Sequence, residues 1–290
     1  KTALITSQNI DGAYVGGCNI NVCVLLSTLG MNAAPLIRVG KDYQSSGLKT
    51  YLKDHNVLLD GIQEIPEVLT SYSYLIEDPN NDHVTLFYPG AMHEKYQLPL
   101  QDSLFKHTKY ALMTVASYND NMAFLKRCQE QDIPLIFGMK LDETAFPKPF
   151  LHDILKTAKL VFMNKTEARA IETMFDYERV EMLMHEGNCE VLIVTDGARG
   201  ATIHYQSDQV IKQLSTQAIK PKVIVDTSGS GDAYIAGFLY GLFMGESWHM
   251  CGIYASAMAS FILEKNGCTT NAPSLYALHQ RVEKHKEDLT

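Results

Sequence analysis

The stretch from Asp226 to Leu239 carries the residues best suited to chemistry. It reads Asp-Thr-Ser-Gly-Ser-Gly-Asp-Ala-Tyr-Ile-Ala-Gly-Phe-Leu, so small residues form a turn between a predicted strand, Val223 to Val225, and a long apolar helix. Such a turn presents backbone N–H groups at a helix N-terminus, where a phosphate binds well. A carboxylate beside a bound anion suggests proton abstraction, and we therefore expect phosphoryl transfer. The predicted catalytic residues are Gly229, Ser230, Gly231 and Asp232.

Apolar strand-like segments alternate with amphipathic helical segments along most of the chain. The predicted strands are Pro35–Val39, Tyr110–Val115, Ile133–Phe137, Leu160–Met163 and Glu190–Thr195. The predicted helices lie near 19–29, 44–55, 119–131, 164–173, 176–186, 229–245, 247–265 and 273–287. Strands rich in Val, Ile and Leu between helices indicate a parallel sheet covered on both faces.

Two segments, 68–77 and 83–88, alternate polar and apolar residues instead. They flank Asp78-Pro79-Asn80-Asn81-Asp82, which favours a turn, so we predict a half-exposed hairpin. With an extended segment near the N-terminus, the hairpin could form a small sheet over one end of the larger sheet. Its aromatic residues could stack on a base or merely pack the sheet. They are Tyr72, Tyr74, Phe87 and Tyr88.

The composition argues against several classes of partner. The formal charge of −8, from 25 basic and 33 acidic residues, disfavours nucleic acid and anionic membranes. The apolar region 233–263 is interrupted by Gly245-Glu246-Ser247 and is predicted to form two buried helices rather than a membrane span. The six cysteines include no Cys-x-x-Cys pair, which predicts free thiols and a cytoplasmic location.

The 226–232 stretch closely resembles the Asp-Thr-x-Gly-x-Gly-Asp motif of the ribokinase-like (PfkB) family of sugar and nucleoside kinases. The resemblance implies a three-layer α/β/α ribokinase-like fold, with a mostly parallel sheet and a β-sheet lid that closes over the sugar. It implies a kinase core at 16–66 and 91–290 and a lid at 1–15 and 67–90. The implied cofactors are ATP and Mg²⁺, with K⁺ or another monovalent cation near Asp226 as an open alternative.

Gly16-Gly17-Cys18-Asn19-Ile20-Asn21 is similar to the family motif Gly-Gly-x-x-x-Asn. The resemblance implies that Gly16, Gly17 and Asn21 contact the phosphoryl acceptor. Paired glycines allow a close backbone approach, and an amide both donates to and accepts from hydroxyls. A plain turn with a helix N-cap is the alternative.

Three further motifs are implied to bind the nucleotide. Asn164-Lys165-Thr166-Glu167 resembles the family's Asn-x-x-Glu, which implies that Asn164 lies near the ATP phosphates and that Glu167 holds magnesium through water. The same residues have the outline of a capping box, and the two interpretations are compatible. The resemblance also makes Thr195, Gly197, Gly200 and Asn266 nucleotide contacts. Their alternatives are a hairpin turn at 195–200 and a helix C-cap at 266.

The chain departs from the family pattern at two places. Family members usually begin with a strand whose end carries an Asp, whereas fifteen residues precede Gly16 here. Gly138 stands where many members have an Asp. A third position, Asp42, lies in a Gly-x-Asp pattern with longer spacing than usual, and we predict that it caps a helix.

The sequence thus predicts an ATP-dependent kinase acting on a hydroxymethyl group of a sugar or nucleoside. Gly16-Gly17-Cys18 and segment 87–92 resemble the adenosine-kinase-like branch of the family. A non-catalytic sugar- or nucleotide-binding relative is the first alternative. A nicotinamide oxidoreductase is the second, although Tyr234 stands where its third fingerprint glycine would be. By analogy with the family, lid edges pair two copies into a homodimer.

Overall fold

The computed structural model describes residues 13–77 and 83–288. The helices are α1 (Cys18–Thr28), α2 (Leu48–Asp54), α3 (Tyr118–Glu130), α4 (Lys148–Thr157), α5 (Lys165–Phe175), α6 (Leu183–Glu186), α7 (Ser230–Phe243), α8 (Trp248–Ile262) and α9 (Leu275–Asp288). The strands are β1 (Ile37–Gly40), β2 (Ile62–Ile65), β3 (Tyr72–Glu77), β4 (His83–Tyr88), β5 (Ala111–Met113), β6 (Leu135–Gly138), β7 (Leu160–Asn164), β8 (Val191–Thr195), β9 (Ala201–Ser207) and β10 (Val210–Thr216). Most predicted elements are present, but the helices predicted at 44–55 and 176–186 are much shorter, because turns occupy their first residues.

The largest sheet has six strands in the order β10-β9-β8-β7-β6-β5. Strands β5 to β8 are parallel, and β9 and β10 add an antiparallel hairpin at one edge. Successive side chains point to opposite faces. On one face Phe162 packs edge-on against Phe238 of α7, with ring centroids 5.2 Å apart. On the other, Phe137 packs in the same manner against Phe146, near the start of α4. The predicted three-layer α/β/α architecture is confirmed.

Two smaller sheets complete the described fold. Strands β1 and β2 form a parallel pair, with Ile37 opposite Ile62. Strands β3 and β4 form an antiparallel hairpin, with Tyr72 opposite Tyr88, and the predicted small β-sheet is therefore present. Residues 1–12, which we assigned to the lid, lie outside the described residues. The boundaries between core and lid stay a prediction.

Asp42 connects the hairpin to β1 and does not cap a helix, so our prediction for this residue was wrong. Its Oδ1 accepts hydrogen bonds from the backbone N–H and the Oγ1 of Thr70, at 2.7 and 2.8 Å. Helix α2 begins six residues later, after Gly47, whose φ of 81° is left-handed. The turns between them carry Asp42 away from the helix and toward the start of the hairpin.

Arg38 holds the other end of the hairpin against the core. This side chain is buried on β1, donates to the backbone oxygens of Ala91 and Met92, and forms a two-pronged ion pair with Asp120 of α3 at 2.7 and 2.8 Å. Paired guanidinium–carboxylate contacts of this kind fix geometry as well as charge. One end of the hairpin is therefore anchored on β1 and the other on the turn that follows β1.

Replacing Arg38 with methionine is expected to lower the free energy of unfolding by about 3–5 kcal/mol, because it leaves Asp120 largely buried without its cation. Urea unfolding followed by circular dichroism measures the change. The matched control is Lys126→Met, which removes an exposed cation that pairs with Glu130 on the same helix and should cost less than about 1 kcal/mol. Equal losses in the two variants would contradict a stabilising role for the buried pair.

Candidate active site

The N-terminus of α7 offers free backbone donors. Gly229 is the N-cap residue, with φ 75° in the left-handed region. Among the described residues, the backbone N–H groups of Gly229, Gly231 and Asp232 have no hydrogen-bond acceptor. The first N–H groups of a helix lack intrahelical partners and carry the positive end of its dipole. The turn therefore has the unpaired donors that the predicted anion site would need, and anion binding stays a prediction.

Gly229 is needed for a second reason, which is its contact with Cys268. A Cβ at position 229 would lie 2.6 Å from the Cβ of Cys268 and 2.9 Å from its Cα. Gly229→Ala is expected to destabilise the protein by at least about 1–3 kcal/mol, because it adds this clash to left-handed backbone strain. Thermal unfolding measures the change. Gly231→Ala is the matched control, since nothing lies within 4 Å of its added Cβ; equal melting temperatures of the two variants would refute this explanation.

The segment before the turn differs from our prediction. Val223 to Val225 forms no strand and is exposed. Val225 N–H instead donates to the backbone oxygen of Leu263 at 2.8 Å. The Asp226 carboxylate accepts from Ser228 N–H at 2.8 Å and from Gly267 N–H at 2.9 Å. The loop after α8 therefore holds this segment in place of a neighbouring strand.

Asp232 meets Asn21 across 211 positions of sequence. The Asn21 Nδ2 donates to Asp232 Oδ2 at 2.7 Å, and Asn21 is only 2% exposed. Its Oδ1 has no hydrogen-bond partner among the described residues. Gly17 begins α1 with φ 102°, a backbone conformation that favours glycine. The Gly-Gly motif thus sets the helix that brings an amide to the carboxylate of the phosphate-binding turn.

Two thiols also face this carboxylate. Cys18 hydrogen-bonds to Asp232, and burial raises the pKa of Cys18 to about 12, so the thiol stays protonated and donates. Burial raises the pKa of Cys268 to about 11, and the charge of Asp232 adds to this rise. Burial raises the pKa of the Asp232 carboxyl, while the bonds from Asn21 and Cys18 and the charge of Lys140 oppose that rise. A general base works best when its pKa approaches the operating pH, and this environment moves Asp232 in that direction.

Asn164 and Glu167 form the capping box that their spacing predicted. Asn164 ends β7, and its Oδ1 accepts from the N–H groups of Thr166 and Glu167 at 2.9 Å. The Glu167 Oε2 accepts in return from Asn164 N–H at 2.7 Å. Glu167 is buried, and this burial raises the pKa of its carboxyl, against the effects of the Asn164 bond and of Lys140. The capping box uses only the Oε2 of Glu167, and the Oε1 has no protein donor among the described residues.

The next strand carries the other predicted nucleotide residues. Thr195 lies opposite Asn164 in the parallel register of β7 and β8. The turn that follows contains Gly197 and Gly200, with φ of 55° and 91°. A Cβ at Gly200 would lie 1.9 Å from the backbone oxygen of Thr216, so this position requires glycine. Asn266 is exposed and lies in the loop after α8. The next residue, Gly267, donates its N–H to Asp226, so this loop lies beside the α7 turn.

Residues 9–275 match the pfkB family carbohydrate kinase. The chain belongs to this family. It is 30% identical to a nucleoside kinase of Methanocaldococcus jannaschii over 283 residues, covering 97% of the chain and 90% of the relative. The crystal structure of a nucleoside kinase from that organism has a TM-score of 0.85 at 28% identity, over 98% of this chain and 93% of that one. A Burkholderia thailandensis nucleoside kinase in complex with inosine shares the fold, with a TM-score of 0.82 at 23% identity over 93% and 86% of the two chains.

These matches confirm the predicted family, the ribokinase-like fold and the kinase activity. They decide against the nicotinamide oxidoreductase. Within the part of the chain described here, no group of three or more His, Cys, Asp or Glu side chains could hold a metal ion. In the same residues, no helix has the length and apolar character that a bilayer crossing requires.

Sequence reasoning missed three residues of this kinase site. Cys18 lies inside the Gly-Gly motif, so its position could have suggested a contact. Cys268 and Lys140 belong to no motif, and nothing in their spacing points to Asp232. Cys268 lies beside Gly229 because the loop after α8 packs against the α7 turn, and Lys140 follows β6, whose Gly138 packs against Ile235 of α7.

Proposed function

We propose that this pfkB-family protein transfers the γ-phosphoryl group of ATP to a hydroxymethyl group, with a nucleoside as the preferred acceptor. The observation that carries the proposal is the Asp232 carboxylate, held by Asn21 at 2.7 Å beside free N–H groups of a helix N-terminus. A base and an anion-binding turn at one point are what in-line phosphoryl transfer requires.

In the proposed reaction, Asp232 accepts the hydroxyl proton as the acceptor oxygen attacks the γ-phosphorus. The backbone N–H groups of Gly229, Gly231 and Asp232 stabilise the charge on the moving group. Ser230 lies between them, and its own N–H donates to the Thr227 backbone oxygen at 3.3 Å. Gly16 and Gly17 allow the acceptor to approach the backbone closely. The Asn21 Oδ1, which has no hydrogen-bond partner in residues 13–77 and 83–288, accepts from an acceptor hydroxyl.

The nucleotide in this proposal lies along the carboxyl ends of β7 and β8, the usual ligand crevice of α/β sheets. Asn164 lies beside the phosphates, and the turn of Thr195, Gly197 and Gly200 supports the nucleotide. Asn266 lies near the adenine.

Glu167 fits a magnesium ion held through water, because Mg²⁺ keeps several waters and needs only one or two protein carboxylates beside the phosphates. When bound, the ion neutralises phosphate oxygens. A monovalent cation such as K⁺ near Asp226 would share carboxylate oxygens that already accept the backbone N–H groups of Ser228 and Gly267.

The hairpin supports a nucleoside rather than a simple sugar. Tyr72 and Tyr88 are directly opposite each other, with ring centroids 4.9 Å apart, and Tyr74 packs edge-on against Tyr72 at 5.5 Å. All three rings lie on one exposed face, whereas Phe87 pairs with Ser73 on the other. A face of three tyrosines suits stacking on a base. We therefore assign base contact to the tyrosines and not to Phe87.

Two further expectations remain predictions. The exposed hairpin favours pairing of two copies into a homodimer, which light scattering tests directly. The free cysteines of the described chain agree with a cytoplasmic location, which imaging of a tagged chain tests.

The proposal is tested by a coupled assay of ADP release with ATP and Mg²⁺ over a panel of nucleosides, ribose and fructose. We expect at least one nucleoside to exceed both sugars in kcat/KM by about tenfold or more, since a stacked base adds about 1–3 kcal/mol of binding. Phenylalanine at Tyr72 and Tyr88 should preserve that preference, while alanine at both should remove it. A preference for free sugars, or ADP release equal to the rate without acceptor, would refute the nucleoside assignment.

A further inference from the structure

Lys140 follows β6 at the carboxyl edge of the large sheet. The N–H of Met139 donates to the Phe162 backbone oxygen at 2.9 Å, so the chain leaves the sheet alongside β7, two residues before Asn164. A Cβ at Gly138 would lie 2.9 Å from the Ile235 Cδ1 of α7. The backbone leading to Lys140 therefore lies beside β7, which ends at Asn164, and against α7, which carries Asp232.

Lys140 is exposed. Within residues 13–77 and 83–288 its ammonium group has no hydrogen-bond or ion-pair partner. Its neighbour at the β7 edge, Lys165, is different, because its Nζ pairs with Asp196 at 2.9 Å. Arg199 also pairs with that carboxylate. Of these three cations, Lys140 alone is free to meet an incoming anion.

The charge of Lys140 acts on Asp232. It lowers the pKa of that carboxyl, against the larger effect of burial, and it also opposes the rise in the Cys18 pKa. The positions of Gly138 and Met139 place Lys140 beside the helix that carries Asp232 and the strand that ends at Asn164.

We propose that Lys140 is a catalytic residue that contacts the γ-phosphoryl oxygens of ATP and follows them during transfer. The inference rests on the proposed function and adds a residue to it. In the step, the bond from acceptor oxygen to phosphorus forms, the bond from phosphorus to the bridging oxygen of ATP breaks, and the hydroxyl proton goes to Asp232. Lys140 keeps its protons and neutralises charge on the equatorial oxygens, which helix N–H dipoles do only in part. A lysine suits this role because its compact charge sits on a flexible stem.

The decisive variants are Lys140→Met and Lys140→Arg, with Lys126→Met on α3 as the matched exposed control. We expect Lys140→Met to lower kcat by about 100-fold or more, as loss of one preorganised oxyanion donor does. Arginine should restore kcat to within about tenfold, because it keeps the charge but not the shape. By calorimetry with Mg²⁺, ATP affinity should fall at least fivefold more than ADP affinity in the methionine variant.

The pH dependence of kcat/KM distinguishes a catalytic role of Lys140 from a purely structural one. The groups facing Asp232 are Asn21 and Cys18 from α1, Cys268 from the loop after α8, and Lys140. Removing Lys140 withdraws a charge that lowers the Asp232 pKa, so the acid limb of kcat/KM should move to higher pH. The other three groups are unchanged.

A kcat within threefold of wild type in Lys140→Met, together with an unchanged ratio of ATP to ADP affinity, would overturn the inference. Failure of the proposed function looks different, because the wild-type protein would then release no ADP with any acceptor. In that case the ratio of ATP to ADP affinity decides alone, and an unchanged ratio in Lys140→Met counts against Lys140.

Discussion

Asp232→Asn is expected to lower kcat by about 10²–10⁴-fold, the typical loss when a positioned general base is removed. The change keeps the shape of the side chain, and the new amide oxygen can still accept from the Asn21 Nδ2. ATP binding should therefore stay within threefold of wild type by calorimetry. Steady-state ADP release with the preferred acceptor measures the effect.

The control for this variant is Asp208→Asn, which makes the same change at an exposed residue in the β9–β10 turn. A near-normal rate in Asp232→Asn would remove Asp232 from the base role. A loss of ATP binding equal to the loss of rate would instead indicate damage to the anion-binding turn.

Asp232→Asn should also stabilise the folded protein. Burial raises the pKa of this carboxyl in the folded state, so its contribution to stability is present at low pH and is lost as pH rises through the folded pKa. At neutral pH the wild-type protein carries this cost and the asparagine variant does not. A melting temperature above that of wild type at pH 7, with the difference vanishing near pH 4, would agree with this sign.

Asn21→Asp is expected to lower kcat/KM at neutral pH by about 10- to 100-fold, because it replaces a donor 2.7 Å from Asp232 with a second carboxylate. Two carboxylates so close cannot both ionise easily, and the pair then holds a proton at the pH where Asp232 must accept one. The acid limb of the kcat/KM profile should move to higher pH, and activity should recover as the pH rises.

The comparison for Asn21→Asp is Asn21→Ala, which removes the same amide but adds no charge. Asn21→Ala also removes the oxygen proposed to accept from the acceptor hydroxyl, so it should raise KM, whereas the aspartate keeps an oxygen at that position. Only the aspartate variant should move the acid limb strongly. An unmoved limb in Asn21→Asp would mean that the amide does not control protonation of the base.

Much of the fold followed from local pattern. Continuous apolar segments predicted β6, β7 and β8, and alternating polar and apolar residues predicted the β3–β4 hairpin. These patterns suffice because strand faces and turn residues are set within a few positions. The segment from Val223 to Val225 shows the limit of that argument. Its β-branched residues suit a strand, but the backbone of Leu263 holds the chain there, and no strand of the described residues lies beside it. A strand needs a partner, which local sequence does not supply.

The sequence by itself determined the turns and caps: the left-handed Gly229 before α7, the Gly17 that starts α1, and the box of Asn164 and Glu167. Each depends on steric limits and hydrogen bonds within one helical turn. Only the tertiary structure decided which groups surround Asp232. The Asn21 amide, the thiols and Lys140 come from segments up to 214 positions away. Their approach depends on how α1, β6 and the loop after α8 pack around α7, which no local pattern specifies.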